Sequence, residues 1–150
     1  MNQISTIPNS LKKHYNNKYL NADHSKVKTI PIVKFPSNRF EMAAKFLSKI
    51  KGGKYLEIGA GDGSLALTLI NNFSHLVLID ISEKRIEELS KLFDGKNVEI
   101  LSTNLDHENL PYSDNTFDVV VMVDVIEHLI DPIGVCNEIY RVLKKRGGFC

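Results

Sequence analysis

In the segment Glu57-Ile58-Gly59-Ala60-Gly61-Asp62-Gly63, three glycines stand at alternate positions beside two acids. Glycines so spaced let the backbone turn sharply and approach a ligand more closely than a Cβ would permit. The acids narrow the choice of ligand. Glu57 and Asp62 would repel a diphosphate, whereas a molecule carrying cationic groups would be attracted. The glycine spacing agrees, because dinucleotide-binding turns follow G-x-G-x-x-G and here position 64 is Ser64. A further acid, Asp80, ends an apolar run 17 residues after Gly63. A carboxylate there can accept hydrogen bonds from both hydroxyls of a ribose, or serve as an ordinary capping acid before Ser82.

The elements that must hold these residues can be read from the pattern. Lys54–Gly59 is expected as a strand and Ser64–Asn72 as a helix. His75–Asp80 is a second, fully apolar strand, followed by a helix from Ser82 to Phe93 with Ile86, Leu89 and Phe93 on one side. Asn97–Leu101 makes a third strand. Phe117–Val123 makes a fourth, apolar on both faces and therefore central in a covered sheet. Asp131-Pro132 opens a last helix with proline at its first position. Its buried stripe is expected at Ile133, Cys136, Ile139, Tyr140 and Leu143, with Gly147-Gly148 ending it. Upstream, a helix capped by Ser37 or Asn38 presents Phe40, Ala43, Ala44, Leu47 and Ile50 to a core and ends at Gly52-Gly53. Alternation of strand and helix with such apolar strands specifies a doubly wound α/β fold around a parallel sheet.

Residues 1–37 contain Pro8, Pro31 and Pro36 and little apolar periodicity, so they form a lead-in or cover, with a short helix around Leu11–Leu20. Tyr15 and Tyr19 lie one helical turn apart there. Residues 38–150 form the binding domain. The chain stops at Phe149-Cys150, where the next strand should begin, and this would leave the apolar strand Phe117–Val123 as an edge. The expectation is a domain truncated at the start of its fifth strand, or an edge covered by something else, self-association included.

With 150 residues, one core is expected rather than two. A net charge of +1 provides no general attraction to nucleic acid or anionic membrane. Neither a signal-like start nor a membrane-length apolar run is present, so the chain reads as cytoplasmic. Cys136 and Cys150 lack metal-ligand spacing, and Cys136 is expected as a small buried hydrophobe.

S-adenosylmethionine (SAM), with its sulfonium and ammonium, satisfies the charge pattern. From about Tyr55 to Phe149 the chain resembles the class I SAM-dependent methyltransferases, on four stretches in order: Leu56–Gly63; Leu78–Ser82; Asp106–Tyr112 with Asn115–Asp118; and Val125–Leu129 with Arg141–Lys144. The resemblance implies that Glu57, Gly59, Ala60, Gly61 and Gly63 line the methionine part of SAM, that Asp80 holds the ribose and that Ile81 packs on the adenine. It further implies that Asp106 accepts from the adenine amino group, that the His107 N–H donates to the ring, and that Val123 and Asp124 border the methionine end of SAM and the acceptor. Leu105 and Arg146-Gly147 depart from the family's small residue and proline-glycine turn, without touching a required polar contact. The product would be S-adenosylhomocysteine, and the acceptor is expected to be a small molecule.

Because the methyl group is activated by the cofactor, positioning is the protein's main contribution, and a base is needed only where the acceptor must lose a proton. His128 is the local candidate for that base; it can equally cap or pack. Asp124-Val125-Ile126-Glu127-His128 also has the acid-x-x-acid-His spacing of metal-assisted O-methyltransferases, in which Asp124, Glu127 and His128 would converge on a cation from one helical turn. Two rival readings are a SAM-binding module without catalysis and a nicotinamide-dependent oxidoreductase, the latter disfavoured by the glycine spacing and Asp62.

Overall fold

A computed structural model describes residues 13, 14, 16–18 and 27–150. The expected Tyr15 and Tyr19 pair lies outside the described residues, while positions 13, 14 and 16–18 of the short helix are helical. Five parallel strands form one sheet: β1 (Lys54–Ile58), β2 (His75–Asp80), β3 (Val98–Ser102), β4 (Phe117–Met122) and β5 (Leu143–Phe149). Their spatial order is β3-β2-β1-β4-β5, so the winding reverses beside β1. That reversal opens a crevice beyond the carboxyl ends of β1 and β4, where ligands of such sheets bind.

The sheet is covered on both faces, as its strand composition demands. Tyr55, Leu76, Leu78, Val119 and Val121 point into one apolar cluster, whereas Leu56, Ile58, Val77, Ile79 and Val120 point into the other. Adjacent residues alternate between the two, so beyond the strand starts both faces of β1, β2 and β4 are apolar apart from the acids Glu57, Asp80 and Asp118. On the first face lie α1 (Arg39–Leu47), α2 (Ser64–Leu69) and α3 (Glu83–Leu92), contributing among others Ala43, Ala44, Leu47, Leu65, Leu69 and Leu89. On the second lies α4 (Pro132–Val142), contributing Val135, Ile139 and Val142. Side chains cap three helix starts. Asn38 accepts from Glu41 N–H, Ser82 from Arg85 N–H and Asp131 from Gly134 N–H.

Several expectations need correction. The buried stripe of α4 is Val135, Ile139 and Val142, rotated from the expected one: Ile133 is 73% and Tyr140 82% exposed, and Cys136 is half-buried. The helix also ends at Val142, well before Gly147-Gly148, because the chain passes directly into β5. There β4 acquires a neighbour, Val119 opposite Gly148 and Val120 opposite Phe149, after a register shift that absorbs the residues following Leu143. β4 is therefore not an edge, and the argument for self-association through it falls away. In α1, Ala43, Ala44 and Leu47 are buried as expected, but Phe40, and Ile50 beyond the helix end, keep about a third of their surface exposed.

Among the described residues the lead-in contacts the domain at several points, Ser37 donating to Glu41 and Lys34 O accepting from Lys45 Nζ among them. Ile30 N–H donates to Thr68 Oγ1 at 2.7 Å, and Asn16 Oδ1 accepts from Ser82 Oγ and Glu83 N–H at 3.0 and 3.1 Å. Among the described residues no helix is long and apolar enough to cross a membrane.

Candidate functional site

β1 delivers the glycine turn to the crevice. Its Gly59 and Ala60 N–H groups donate to Ile79 O at 2.8 and 3.0 Å, which fixes the turn to β2. All three glycines have positive φ, yet each is required for a different reason. A Cβ on Gly59 would collide with Val125 Cγ2, and one on Gly63 would lie 2.7 Å from Leu89 Cδ2. On Gly61 a Cβ would meet nothing nearer than Gly59 O at 4.0 Å. Gly61 alone thus opens onto free space, and its backbone faces cavities on both sides. Gly63 lines neither cavity; it caps α2 in a left-handed conformation and packs on α3.

The smaller cavity, 120 Å³, is walled by Gly59, Gly61, Asp80, Ile81, Leu105, Asp106 and His128, among others. Asp80 is 8% exposed. Its Oδ2 accepts from Gly61 N–H at 3.0 Å and its Oδ1 from Ser82 N–H at 2.8 Å. The acid thereby caps the turn before α3, one of the two roles read from the sequence, and it also lines the cavity. Burial raises its pKa, opposed by those two N–H donors and by the nearby Arg85. Asp106 Oδ1 accepts from Ile130 and Asp131 N–H at 2.8 and 3.2 Å, so it joins the loop after β3 to the start of α4. His107 lies in the turn after β3. It is exposed, lines neither cavity, and its N–H already donates to Asn104 O at 3.0 Å within a local turn.

The larger cavity, 630 Å³, lies on the other side of the turn, between Glu57, Gly59, Ala60, Gly61, Asp62, Arg85, the start of α1 and residues 28–31. Glu57 is 4% exposed and accepts from Tyr55 Oη at 2.8 Å. Burial, with the charges of Asp62 and Asp80, pushes its pKa up to about 8, against the lowering effect of the Tyr55 hydroxyl. Asp62 is exposed and accepts from the Ser64 N–H and hydroxyl at 2.9 and 2.7 Å. Arg85, 6% exposed, is the buried cation among the described residues, with Nη1 2.9 Å from Glu88 Oε2. The sequence reading missed it, although its position four residues before Leu89 extends the apolar stripe of α3 with a charge.

Val123 packs against the first core cluster instead of lining a cavity. Asp124 sits at φ 60°, a left-handed conformation, and its Oδ1 is 2.5 Å from Arg39 Nε of α1. Ile126–His128 is a short 3-10 turn beginning after Asp124, so Asp124, Glu127 and His128 do not share one α-helical turn. Among the described residues no three metal-ligating side chains come together, and the convergence expected of these three is absent. The loop carrying Asp106 is braced by Arg141 of α4. Its guanidinium donates to Tyr112 O at 2.7 Å, Leu110 O at 3.1 Å and Asp114 at 2.9 Å, and bonds Glu138.

Residues 56–150 match the family model described as a methyltransferase domain. The chain belongs to the SAM-dependent methyltransferase family. It is 31% identical over 105 residues to a demethylmenaquinone methyltransferase of Lactobacillus johnsonii, covering 66% of this chain and 43% of that protein. It is 34% identical over 97 residues to a glycine/sarcosine/dimethylglycine N-methyltransferase of Actinopolyspora halophila, covering 63% of this chain and 17% of that one. A solved SAM-dependent methyltransferase from Aquifex aeolicus is 25% identical with a TM-score of 0.60, covering 70% of this chain and 58% of that chain. The chain spans less than half the length of these two curated relatives.

Proposed function

We propose that this chain binds S-adenosylmethionine across the glycine turn and serves transfer of its methyl group to a small-molecule acceptor. The observation carrying this reading is Gly61: a turn residue free of any contact that would forbid a side chain, set between buried Asp80 and buried Glu57. A nucleoside with a cationic tail matches those two sides. Asp80 and Asp106 would take the ribose and adenine, Ile81 would pack on the base, and Glu57 with Asp62 would face the cationic end. When bound, SAM supplies an activated methyl group, so the protein's task is binding, orientation and exclusion of water. A small-molecule acceptor is supported by the names of both curated relatives, a demethylmenaquinone and a glycine/sarcosine/dimethylglycine methyltransferase. A cytoplasmic setting accords with the lack of a membrane-length apolar helix among the described residues.

His128 borders the smaller cavity, on the side of Asp80 and Asp106. As a base for acceptors that must lose a proton, it is tested by His128→Ala, which should slow transfer to such acceptors and spare those that need no deprotonation. Calorimetric titration tests the larger claim. SAM and S-adenosylhomocysteine should bind and nicotinamide dinucleotides should not; the reverse result refutes the reading.

A further inference from the structure

Glu57 differs from every other acid around the site in what satisfies it. Asp80 holds two backbone N–H groups, Asp62 is solvated and bonded to Ser64, and Asp106 pins the start of α4. Glu57 has a single neutral partner, the Tyr55 hydroxyl. The two side chains lie on β1 two residues apart, Tyr55 wholly buried and Glu57 at the floor of the larger cavity. A lone carboxylate there would sit desolvated, with Asp62 on the turn and Asp80 at the end of β2 both repelling it. The remaining charged groups on that cavity's wall are Glu41 at the start of α1, Lys28 of the lead-in and Arg85 of α3. Lys28 is exposed, and Arg85 is tied to Glu88 and acts on Asp80. Among the described residues, no fixed cation is thus placed to hold Glu57 ionised.

We infer that Glu57 is protonated in the ligand-free protein and releases its proton to solvent as the cationic end of SAM enters, so that cofactor uptake is coupled to loss of one proton. The inference rests on the proposed SAM site. The exchange balances: a neutral carboxyl and a cation become a carboxylate–cation pair, and the proton passes to buffer. The upward displacement of the Glu57 pKa to about 8 accords with this. Glu57 thereby selects for positive charge, because ionising it is favourable only when a cation arrives to compensate. Tyr55 is a positioning residue whose hydroxyl stabilises the carboxylate once formed.

The test is proton counting by titration calorimetry at pH 7 in buffers of different ionisation enthalpy, with affinity followed from pH 6 to 7.5. The slope is read between pH 6 and 7, where the ligand's own amino group stays mostly charged, since α-amino groups titrate at about 7.7–8.0. SAM should release close to one proton, with affinity rising about tenfold per pH unit. Methylthioadenosine, which keeps the nucleoside and lacks both cationic groups, should release none. Glu57→Gln should bind SAM without proton release and with flat pH dependence; Tyr55→Phe should keep the one-proton stoichiometry but move the profile to higher pH. SAM binding without proton release overturns the inference while leaving the site intact. Equal release with SAM and methylthioadenosine also overturns it, by placing the proton at the nucleoside end. Failure of SAM to bind at any pH refutes both this inference and the proposed site.

Discussion

Replacing Glu57 by Gln in the ligand-free protein separates the cost of this buried acid from its use. The carboxyl has an ordinary pKa of 4.5 and is pushed up to about 8 in the fold by burial and by Asp62 and Asp80. Between those values the unfolded chain has lost the proton and the folded chain retains it. Each pH unit in that window therefore removes about 1.4 kcal/mol of stability. The Glu57 contribution is whole below pH 4.5 and falls as pH rises toward 8, where the loss levels off. At pH 7 the wild-type chain bears a penalty of about 3 kcal/mol that Gln, with no proton to lose, does not incur. Gln also keeps an oxygen able to accept from Tyr55 Oη, so the hydrogen bond survives. Thermal or urea unfolding from pH 5 to 8 should show the variant gaining steadily on wild type. For a domain of this size the gap at pH 7 corresponds to roughly 6–12 °C in midpoint. Contributions from Asp80 and other acids cancel in the comparison. Parallel stability curves for the two proteins would show that Glu57 is already ionised in the empty fold and would refute the reasoning.

Gly61→Val should lower SAM affinity at least 100-fold, since the new side chain projects into the space between the cavities, while left-handed backbone strain costs the fold only about 1–2 kcal/mol; calorimetry and a melting curve read the two effects separately, and normal affinity would remove the turn from the site. Asp80→Ala should weaken SAM binding by about 1–3 kcal/mol through loss of charge-assisted hydrogen bonds, and an unchanged dissociation constant would exclude Asp80. Arg141→Met should destabilise the protein by about 1–3 kcal/mol and raise amide exchange across residues 103–116, because Tyr112 O loses its donor and Leu110 O and Glu138 each lose one of theirs. Protection unchanged in that loop would show that the brace is not needed.

Much of this site could be read from the chain because the strands state their own burial. Apolar runs such as His75–Asp80 and Phe117–Met122 fit only a sheet covered on both sides, and an acid terminating the first is conspicuous there. The glycine turn was legible for the same reason, since its residue types relax a steric rule. What the sequence did not show is which glycine meets empty space. Gly59, Gly61 and Gly63 look equivalent in a pattern, and only Val125 and Leu89, distant in sequence, separate them. The stripe of α4 was misread because Ile133 and Tyr140 have the right hydrophobicity at the wrong angle, and Val135 and Val142 define the true face. The end of that helix was missed because β5 begins at once, with no intervening loop to announce it. Arg85 was hidden by its charge, an argument that works on average and fails where a buried site needs a cation.

These misses have a common form. Periodicity reports which side chains avoid water, but a binding site consists of the residues that break that rule at a distance from one another. Here Glu57, Asp80 and Arg85 are the buried charged side chains among the described residues, and all three border the cavities flanking Gly61. Two acids and one cation, each removed from water, would be a poor way to stabilise a fold. Asp80 offsets its cost with the N–H groups of Gly61 and Ser82, and Arg85 its own with Glu88. Glu57 alone is left with a hydroxyl, and an acid so placed is stabilised fully only by a charge that the described residues do not provide. The unbalanced carboxyl is therefore the feature that connects the packing of β1 to the chemistry of a cationic cofactor.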